Sequence, residues 1–450
     1  MKPTVTLEPK AVKPALAKLA KQNAAHAARF PGDFAGRQPV HTVYGGAHLF
    51  KSDTSVKLGE LSLRSLSRYG ADAVTFARAV GMDEALAHKV YDRVVEKLKR
   101  EPVEDFRIDF EDGYGNRPDA EEDGHAVAAA LEVAKGLEDG TLPPFIGIRI
   151  KTFSNELAGR SSRTMDIFLT TLIRQTKGRL PDWFCVTLPK IVHPGQAAAL
   201  ASLLGAFEKK KKLKPNSIKV ELMVETPQSI IAADGTAPLR AMVDELGARC
   251  TGAHFGTYDY TASCNITAAH QNMLHPSCDF AKAVMQVALA GTGVTMSDGA
   301  TNVMPVGPHR PLAGAYLSAE QDRENVEAVR RAWKLHYDHA THSLVNGFYQ
   351  GWDLHPAQLP TRYAAVYAFF IAGLPQATAR LKNFIEKAAQ ATLVGDVFDD
   401  AATGQGLLNY FLRARNCGAI TAEEAAASGL TPEEFATRSF LKILEGRRGR

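Results

Sequence analysis

Two acidic residues lie where apolar, strand-like runs end and loops begin. Glu225 closes the run 218–225, and Asp259 follows the run 252–257. Neighbouring parallel strands lie only about 4.8 Å apart, so carboxylates at their ends can share one hard cation. Mg²⁺ and Mn²⁺ prefer octahedral oxygen ligands and leave positions for water or substrate oxygens. We therefore expect Glu225 and Asp259 to bind Mg²⁺ (or Mn²⁺) beside a chelating 2-oxo-acid; helix capping or structural ion pairing is the alternative.

Three further acids crowd into four positions, at Asp109, Glu111 and Asp112. In a strand, Asp109 and Glu111 would point to one face, with Asp112 beginning the loop. Buried carboxylates need a cation or donors, and Arg149 on the next strand is a natural partner. Its guanidinium could bind a substrate carboxylate or stabilise an enolate oxygen. The acids could support metal-bound water, orient Arg149, act in catalysis or substrate binding, or serve only the structure.

Four other strand-end residues are candidates for the site: Lys190, Pro227, Asp353 and His355. We expect Lys190, Pro227 and His355 to contact substrate and Asp353 to act in catalysis. A Schiff-base role for Lys190 is disfavoured, because a metal and an amine nucleophile would be redundant routes to one enolate. The proton-transferring base stays open among Asp112, Asp353, His355 and a metal-bound hydroxide.

Short apolar runs alternate with stretches of helical period, which is the pattern of parallel β/α units. The predicted strands are residues 41–45, 107–111, 145–151, 183–188, 218–225, 252–257, 294–297 and 347–354. Predicted helices between them include 120–136, 163–177, 238–246 and 320–342. This pattern predicts a (β/α)8 TIM barrel, in which functional residues lie at the carboxyl ends of the strands.

The barrel is expected to occupy residues 40–358, with an insertion near 52–100 that carries helical patterns at 57–68 and 82–100. Residues 1–39 read as an N-terminal helical arm with a helix at 10–28. Residues 359–450 read as a C-terminal helical subdomain lying over the barrel or a partner subunit. The helices expected there, with no strands, are 360–372, 376–391, 404–415, 421–427 and 432–445.

Composition excludes several classes of protein. The net charge of +4 over 450 residues gives no case for a nucleic-acid partner. No apolar stretch approaches the roughly 18 residues needed to span a bilayer, and the first residues lack the apolar core of a signal peptide. Five cysteines without a Cys-x-x-Cys pair indicate reduced residues. We expect a cytoplasmic protein without a membrane partner.

Six motifs occur in a telling order between about residues 105 and 360: Asp109-Phe110-Glu111-Asp112, Ile148-Arg149-Ile150, Leu188-Pro189-Lys190, Glu225-Thr226-Pro227, Gly256-Thr257-Tyr258-Asp259-Tyr260 and Gly351-Trp352-Asp353-Leu354-His355-Pro356-Ala357-Gln358. Together they resemble the HpcH/HpaI aldolase/citrate lyase β-subunit family, the malate synthase-like branch of the phosphoenolpyruvate/pyruvate-binding TIM barrels. The resemblance implies Mg²⁺ on Glu225 and Asp259, a chelated 2-oxo-acid and Arg149 at the developing enolate. It also implies homo-oligomers and substrates that often carry coenzyme A. The barrel opens with His41-Thr42-Val43-Tyr44, which departs from the basic opening usual in that family.

The leading hypothesis is a Mg²⁺-dependent carbon–carbon lyase or aldolase acting on a 2-oxo-acid or its acyl-coenzyme A adduct through a metal-stabilised enolate. A phosphoenolpyruvate-utilising phosphotransferase is a second reading, although the chain has no Gly-x-x-x-x-Gly-Lys-[Ser/Thr] loop. A non-catalytic barrel that binds an oxo-acid is a third.

Overall fold

The computed structural model describes residues 5–311, 314, 316–386, 392–394, 397–399 and 401–448. One parallel sheet has the order β7-β6-β5-β4-β3-β2-β1-β8. Its strands are β1 His41–Gly46, β2 Asp105–Asp109, β3 Phe145–Arg149, β4 Cys185–Leu188, β5 Lys219–Val224, β6 Cys250–Phe255, β7 Thr295–Ser297 and β8 Gly351–Asp353.

The sheet closes on itself through irregular hydrogen bonds between the segment after β7 and β8. The Asp298 amide donates to the Gln350 carbonyl at 2.9 Å, and the Trp352 amide donates to the Gly299 carbonyl at 3.1 Å. Ala300 bridges Trp352 in the parallel sense. The predicted (β/α)8 barrel is confirmed.

Helices surround the barrel, and further helices precede and follow it in the chain. They are α1 Pro9–Arg29, α2 Thr54–Tyr69, α3 Ala73–Val80, α4 Ala87–Arg100, α5 Asp119–Asp139, α6 Ala158–Gln175, α7 Pro194–Lys211, α8 Pro227–Ile230, α9 Leu239–Leu246, α10 Thr257–Ser263, α11 Pro276–Leu289, α12 Ala319–Val345, α13 Leu359–Glu386, α14 Ala401–Asn416, α15 Ala422–Ala426, α16 Pro432–Thr437 and α17 Phe440–Arg448. Short 3₁₀ turns cover Glu84–Leu86, Gly247–Arg249, Ala268–His270 and Pro356–Gln358. None of the described helices is long and apolar enough to cross a membrane.

Five predicted strands end one or two residues earlier in the structure than expected, and the differences at the second and sixth strands affect acidic candidate residues. The second was predicted at 107–111 but ends at Asp109, because the Asp109 carboxylate accepts the amide hydrogens of Glu111 at 2.9 Å and Gly113 at 2.7 Å and turns the chain into a loop. Glu111 is therefore not on the strand beside Asp109, and the expectation that both share one strand face is wrong. The sixth strand, predicted at 252–257, ends at Phe255, and α10 begins at Thr257.

The C-terminal region also differs in detail from the prediction. The helices expected at 360–372 and 376–391 form the single helix α13, which continues through Pro375 to Glu386, and residues 387–391 lie outside the described part of the chain. Instead of helices alone, Thr392–Val394 and Val397–Asp399 pair as antiparallel strands, β9 and β10. These residues are mostly β-branched or aromatic, which favours strands. Helix α13 packs against α12 and α4, and the domain boundary near 358 stays a prediction.

The barrel interior holds a buried polar layer. Arg107 donates to Glu221 at 2.9 Å and to the Thr187 hydroxyl at 3.2 Å, and it also pairs with Asp105. His254 Nε2 lies 2.8 Å from Glu221. Because side chains alternate along a strand, the face of β5 that carries Glu221 also carries residue 225, four residues nearer the carboxyl end.

Candidate active site at the carboxyl ends of the strands

Glu225 follows β5 and is only 1% exposed. Its Oε1 accepts the backbone amide hydrogen of Lys190 at 2.7 Å. Its Oε2 faces Gly256, where an added Cβ would lie 2.6 Å away, so only glycine admits this carboxylate. Burial, and then the negative charge of Asp259, raises the pKa of Glu225 to about 8. A buried carboxylate with such a pKa lacks a sufficient positive partner within the protein.

Asp259 lies in the first turn of α10 with its side chain 42% exposed, so it is open to solvent at the barrel mouth. Lys190 Nζ is 3.7 Å from its Oδ2 and 2.9 Å from an oxygen of Asp112, and it also pairs with Glu111. The charges of Glu225 and Glu111 outweigh burial and raise the pKa of Lys190. The Lys190 ammonium therefore lies beside three carboxyl groups, those of Glu111, Asp112 and Asp259.

Arg149 ends β3 and is 2% exposed. Its Nε donates to Asp109 Oδ1 at 2.7 Å and its Nη2 donates to Asp109 Oδ2, a bidentate pair. The remaining nitrogen, Nη1, lies 3.3 Å from a Glu111 oxygen and 3.8 Å from Asp112. Burial is outweighed by the negative charge of Asp109, and the pKa of Arg149 is raised, so the guanidinium stays charged.

Glu111 and Asp112 complete the cluster on the loop after β2. Burial raises the pKa of Glu111. Asp112 is more exposed, and its pKa is lowered because interactions with Glu111 and Lys190 outweigh its burial. Two neighbouring carboxyl groups with pKa values pushed apart are suited to holding and releasing a proton.

The charges of this cluster are unbalanced. Five carboxyl groups (Asp109, Glu111, Asp112, Glu225 and Asp259) face two cationic side chains, Arg149 and Lys190. Within the described residues, no group of three or more His, Cys, Asp or Glu side chains is placed to hold a metal ion. Two carboxylates are, however, a normal protein contribution to a Mg²⁺ site, which keeps several water or substrate ligands. The oxygen donors and the excess negative charge fit a divalent cation.

Comparison with known protein families shows which family the chain belongs to. A family model described as "Domain of unknown function (DUF6986)" matches residues 19–443. The chain belongs to the DUF6986 family. No curated protein matches this DUF6986 chain.

Several solved structures are similar to the DUF6986 chain over most of its length. A citrate lyase from Burkholderia xenovorans LB400 is 18% identical over 87% of this chain and 97% of that chain, with a TM-score of 0.57. Haloferax volcanii malate synthase is 12% identical over 88% and 99%, with a TM-score of 0.47. The protein CitE from Mycobacterium tuberculosis, solved with magnesium, acetoacetate and coenzyme A, is 15% identical over 85% and 98%, with a TM-score of 0.44. The citrate lyase confirms, for the fold, the resemblance drawn from the six motifs.

The DUF6986 structure does not bring every candidate residue into the cluster. Asp353 is fully buried and binds Arg362 Nη2 at 2.8 Å and His336 Nε2 at 2.9 Å, on helices α13 and α12. It therefore points from β8 toward the outer helices. His355 Nδ1 accepts the Ala357 amide hydrogen at 3.1 Å and caps the turn after β8. Pro227 begins α8, two residues beyond Glu225.

The structure adds two residues that sequence reasoning missed, Tyr44 on β1 and Trp352 on β8. The Arg149 guanidinium carbon lies 4.9 Å from the Tyr44 ring centre and 5.5 Å from that of Trp352. Both aromatic residues lie in sequences that read as ordinary core strands. The alternation of side chains along β8 is the signal that could have placed Trp352 inside the barrel and Asp353 outside.

Proposed function

We propose that this protein is a divalent-cation-dependent enzyme that makes or breaks a carbon–carbon bond next to the oxo group of a small 2-oxo-acid or its acyl-coenzyme A adduct. The observation that carries the proposal is Glu225. It is a buried carboxyl group with a raised pKa, next to Asp259 and at the carboxyl end of a barrel strand. Burial of a carboxylate without a balancing charge is costly, and a bound cation would remove that cost.

Glu225 and Asp259 would hold the cation. When bound, Mg²⁺ or Mn²⁺ supplies a Lewis acid for the oxo group of the substrate. Lys190 is the residue that must adjust, because its Nζ now lies 3.7 Å from Asp259. That distance is longer than its contacts to Asp112, so Lys190 can release Asp259 and keep the partners on the loop after β2.

Arg149 would stabilise negative charge on the substrate. Asp109 fixes two of its nitrogens, which leaves Nη1 directed away from that pair. A preorganised donor of this kind lowers the barrier when charge develops on an enolate oxygen, because the protein does not reorganise during the reaction.

Glu111 and Asp112 are the proposed proton carriers. Glu111 has a raised pKa and lies beside Arg149 Nη1, where substrate would meet it. We assign Asp353 a structural role instead, because its carboxylate is bound by Arg362 and His336 outside the barrel interior.

Turnover of a small panel tests the proposal. The panel contains 2-oxo-acids, 2-hydroxyacyl thioesters and free hydroxy-acids, assayed with and without Mg²⁺. We expect product from the wild type only with a divalent cation, and at least a hundredfold loss in Glu225→Gln and Asp259→Asn. Glu327→Gln is the matched control, since this acid is 69% exposed on α12 and pairs only loosely with Arg331 at 3.8 Å.

The same assay separates the alternatives. Product formation that requires a nucleotide or phosphoenolpyruvate would instead support phosphoryl transfer. Cation-dependent binding of oxo-acids without any turnover would support a non-catalytic binding barrel. Unchanged turnover in either carboxylate variant would refute the proposed cation site.

A further inference from the structure

An aromatic pair packs against the Arg149 guanidinium. Tyr44 and Trp352 lie on adjacent strands, and their ring centres are 4.3 Å apart. Both rings are within 5.5 Å of the guanidinium carbon. Cation–π contacts of this kind hold a guanidinium in place without using its hydrogens. Arg149 is thus fixed by Asp109 and the two rings while Nη1 stays available.

Three buried donors in this group have no hydrogen-bond partner among the described residues. They are Tyr44 Oη, Trp352 Nε1 and Arg149 Nη1. Nη1 is near Glu111 but is not aligned for a hydrogen bond. A buried polar atom left unpaired is destabilising, because it has lost its hydrogen bonds to water. Native proteins rarely carry several such atoms together, except where a ligand or ordered water completes them.

The buried polar layer around Arg107 differs from the group around Arg149. Arg107 uses its guanidinium on Asp105, Glu221 and Thr187, all within the barrel. The buried charge of Arg107 is therefore paired with side chains inside the barrel. In contrast, Tyr44 Oη, Trp352 Nε1 and Arg149 Nη1 have no such partner among the described residues.

The chemistry of the donors specifies the group they would bind. Guanidinium and indole nitrogens donate only, and a phenol of raised pKa remains protonated and can donate. Donors on side chains that lie against a fixed positive charge fit a carboxylate, which is an acceptor with two oxygens. Tyr44 and Trp352 are both partly exposed residues.

We propose that Tyr44 and Trp352, which lie against the positively charged Arg149, donate hydrogen bonds to the carboxylate of a small oxo-acid, while Arg149 Nη1 serves its oxo oxygen. This inference rests on the proposed function and adds a specificity element to it. The protein would bind the free acid and discriminate against a neutral ester of the same acid, because the ester removes the negative charge that these donors match.

The experiment measures binding of oxalate and pyruvate by calorimetry in the presence of Mn²⁺, with methyl pyruvate as the uncharged comparison. Tyr44→Phe and Trp352→Phe keep an aromatic ring over Arg149 and remove the hydrogen-bond donor. A hydrogen bond to a charged group is worth about 1.5–3 kcal/mol. Each variant should therefore bind oxalate and pyruvate roughly tenfold more weakly, or worse, than the wild type. Methyl pyruvate should bind weakly to every variant. Trp183→Phe is the matched control, since Trp183 is 45% exposed and precedes β4 at the opposite end of the barrel.

Two further readouts distinguish a lost donor from a damaged fold. Mn²⁺ affinity and the unfolding temperature should match the wild type in both variants. The change in tryptophan fluorescence on adding oxalate should be lost in Trp352→Phe and kept in Trp183→Phe.

The outcomes separate this inference from the proposed function. If Mn²⁺ does not bind the wild type, the proposed function fails first. If Mn²⁺ binds but the acids bind the two variants as tightly as the wild type, the donors are completed by water and this inference is overturned. Failure of the wild type to bind either acid with Mn²⁺ present also overturns it.

Discussion

Asp353 is the residue for which the sequence and the structure suggest different roles, and its removal discriminates between them. The carboxylate is fully buried and holds Arg362 and His336 by hydrogen bonds, while His41 Nδ1 lies 3.0 Å from its other oxygen. Asp353→Ala would leave the Arg362 guanidinium buried without its anion. Breaking a buried ion pair from one side costs about 3–5 kcal/mol.

The expected shift in melting temperature follows from the size of the protein. An unfolding entropy of about 2.1 cal/mol/K per residue gives about 0.9 kcal/mol/K for 450 residues. A loss of about 4 kcal/mol therefore lowers the melting temperature by about 4 °C. Thermal unfolding followed by circular dichroism at pH 7 measures this. Asp338→Ala is the control, because its partner Lys334 is about half exposed and such surface pairs contribute at most about 1 kcal/mol.

The pH dependence provides a second check. Burial acts to raise the pKa of Asp353, but the Arg362 charge and the hydrogen bonds to His336 and His41 outweigh it and hold the pKa well below the ordinary value. The stabilisation is therefore present above the unfolded pKa of about 4 and is lost as the pH falls toward the folded pKa. The difference between wild type and Asp353→Ala should shrink below pH 4. An unchanged melting temperature together with lost turnover would refute the structural role and restore the catalytic one.

Three further predictions concern the site itself. Gly256→Ala should fold but lose Mn²⁺ binding, because its Cβ would lie 2.5 Å from Glu225 Cβ. Gly159→Ala is the control, since its Cβ meets nothing within 4 Å and this variant should bind Mn²⁺ normally. Calorimetry compares the Mn²⁺ affinities of the two variants. Mn²⁺ affinity should rise by about tenfold per pH unit up to about pH 8 and then level off, because the proton on Glu225 must leave before the cation binds. An affinity that is flat from pH 6 to 8 would contradict this. Glu111→Gln should lower kcat with little change in Mn²⁺ affinity, since Glu111 is assigned to proton transfer and not to the cation; equal loss of both would contradict the assignment.

The barrel was predictable because its strands are short apolar runs between helices of clear period. The ends of the strands were harder to predict, because a loop stabilised by side chains has no distinct composition. Phe110 and Glu111 continue the pattern of β2, yet Asp109 captures the amides of Glu111 and Gly113 and ends the strand. Local polar contacts of this kind decide a boundary without altering the hydrophobic pattern.

The acids of the candidate site stand out in the sequence, and the residues that support them do not. Glu225, Asp259 and Arg149 stand out as charged residues in or beside apolar strands. Asp353 has the same appearance, but its partners His336 and Arg362 belong to helices that only the folded chain brings to it. Tyr44 had no such signal, because an aromatic residue in a strand is most often part of the core.

The most direct test of the cation site is a crystal structure of the protein with Mn²⁺, with an anomalous difference map calculated at the manganese edge. We predict a peak within about 2.2 Å of oxygens of both Glu225 and Asp259, with Lys190 Nζ turned toward Glu111 and Asp112. A map from Mn²⁺-soaked crystals with no peak at these carboxylates, and Lys190 still beside Asp259, would contradict the account.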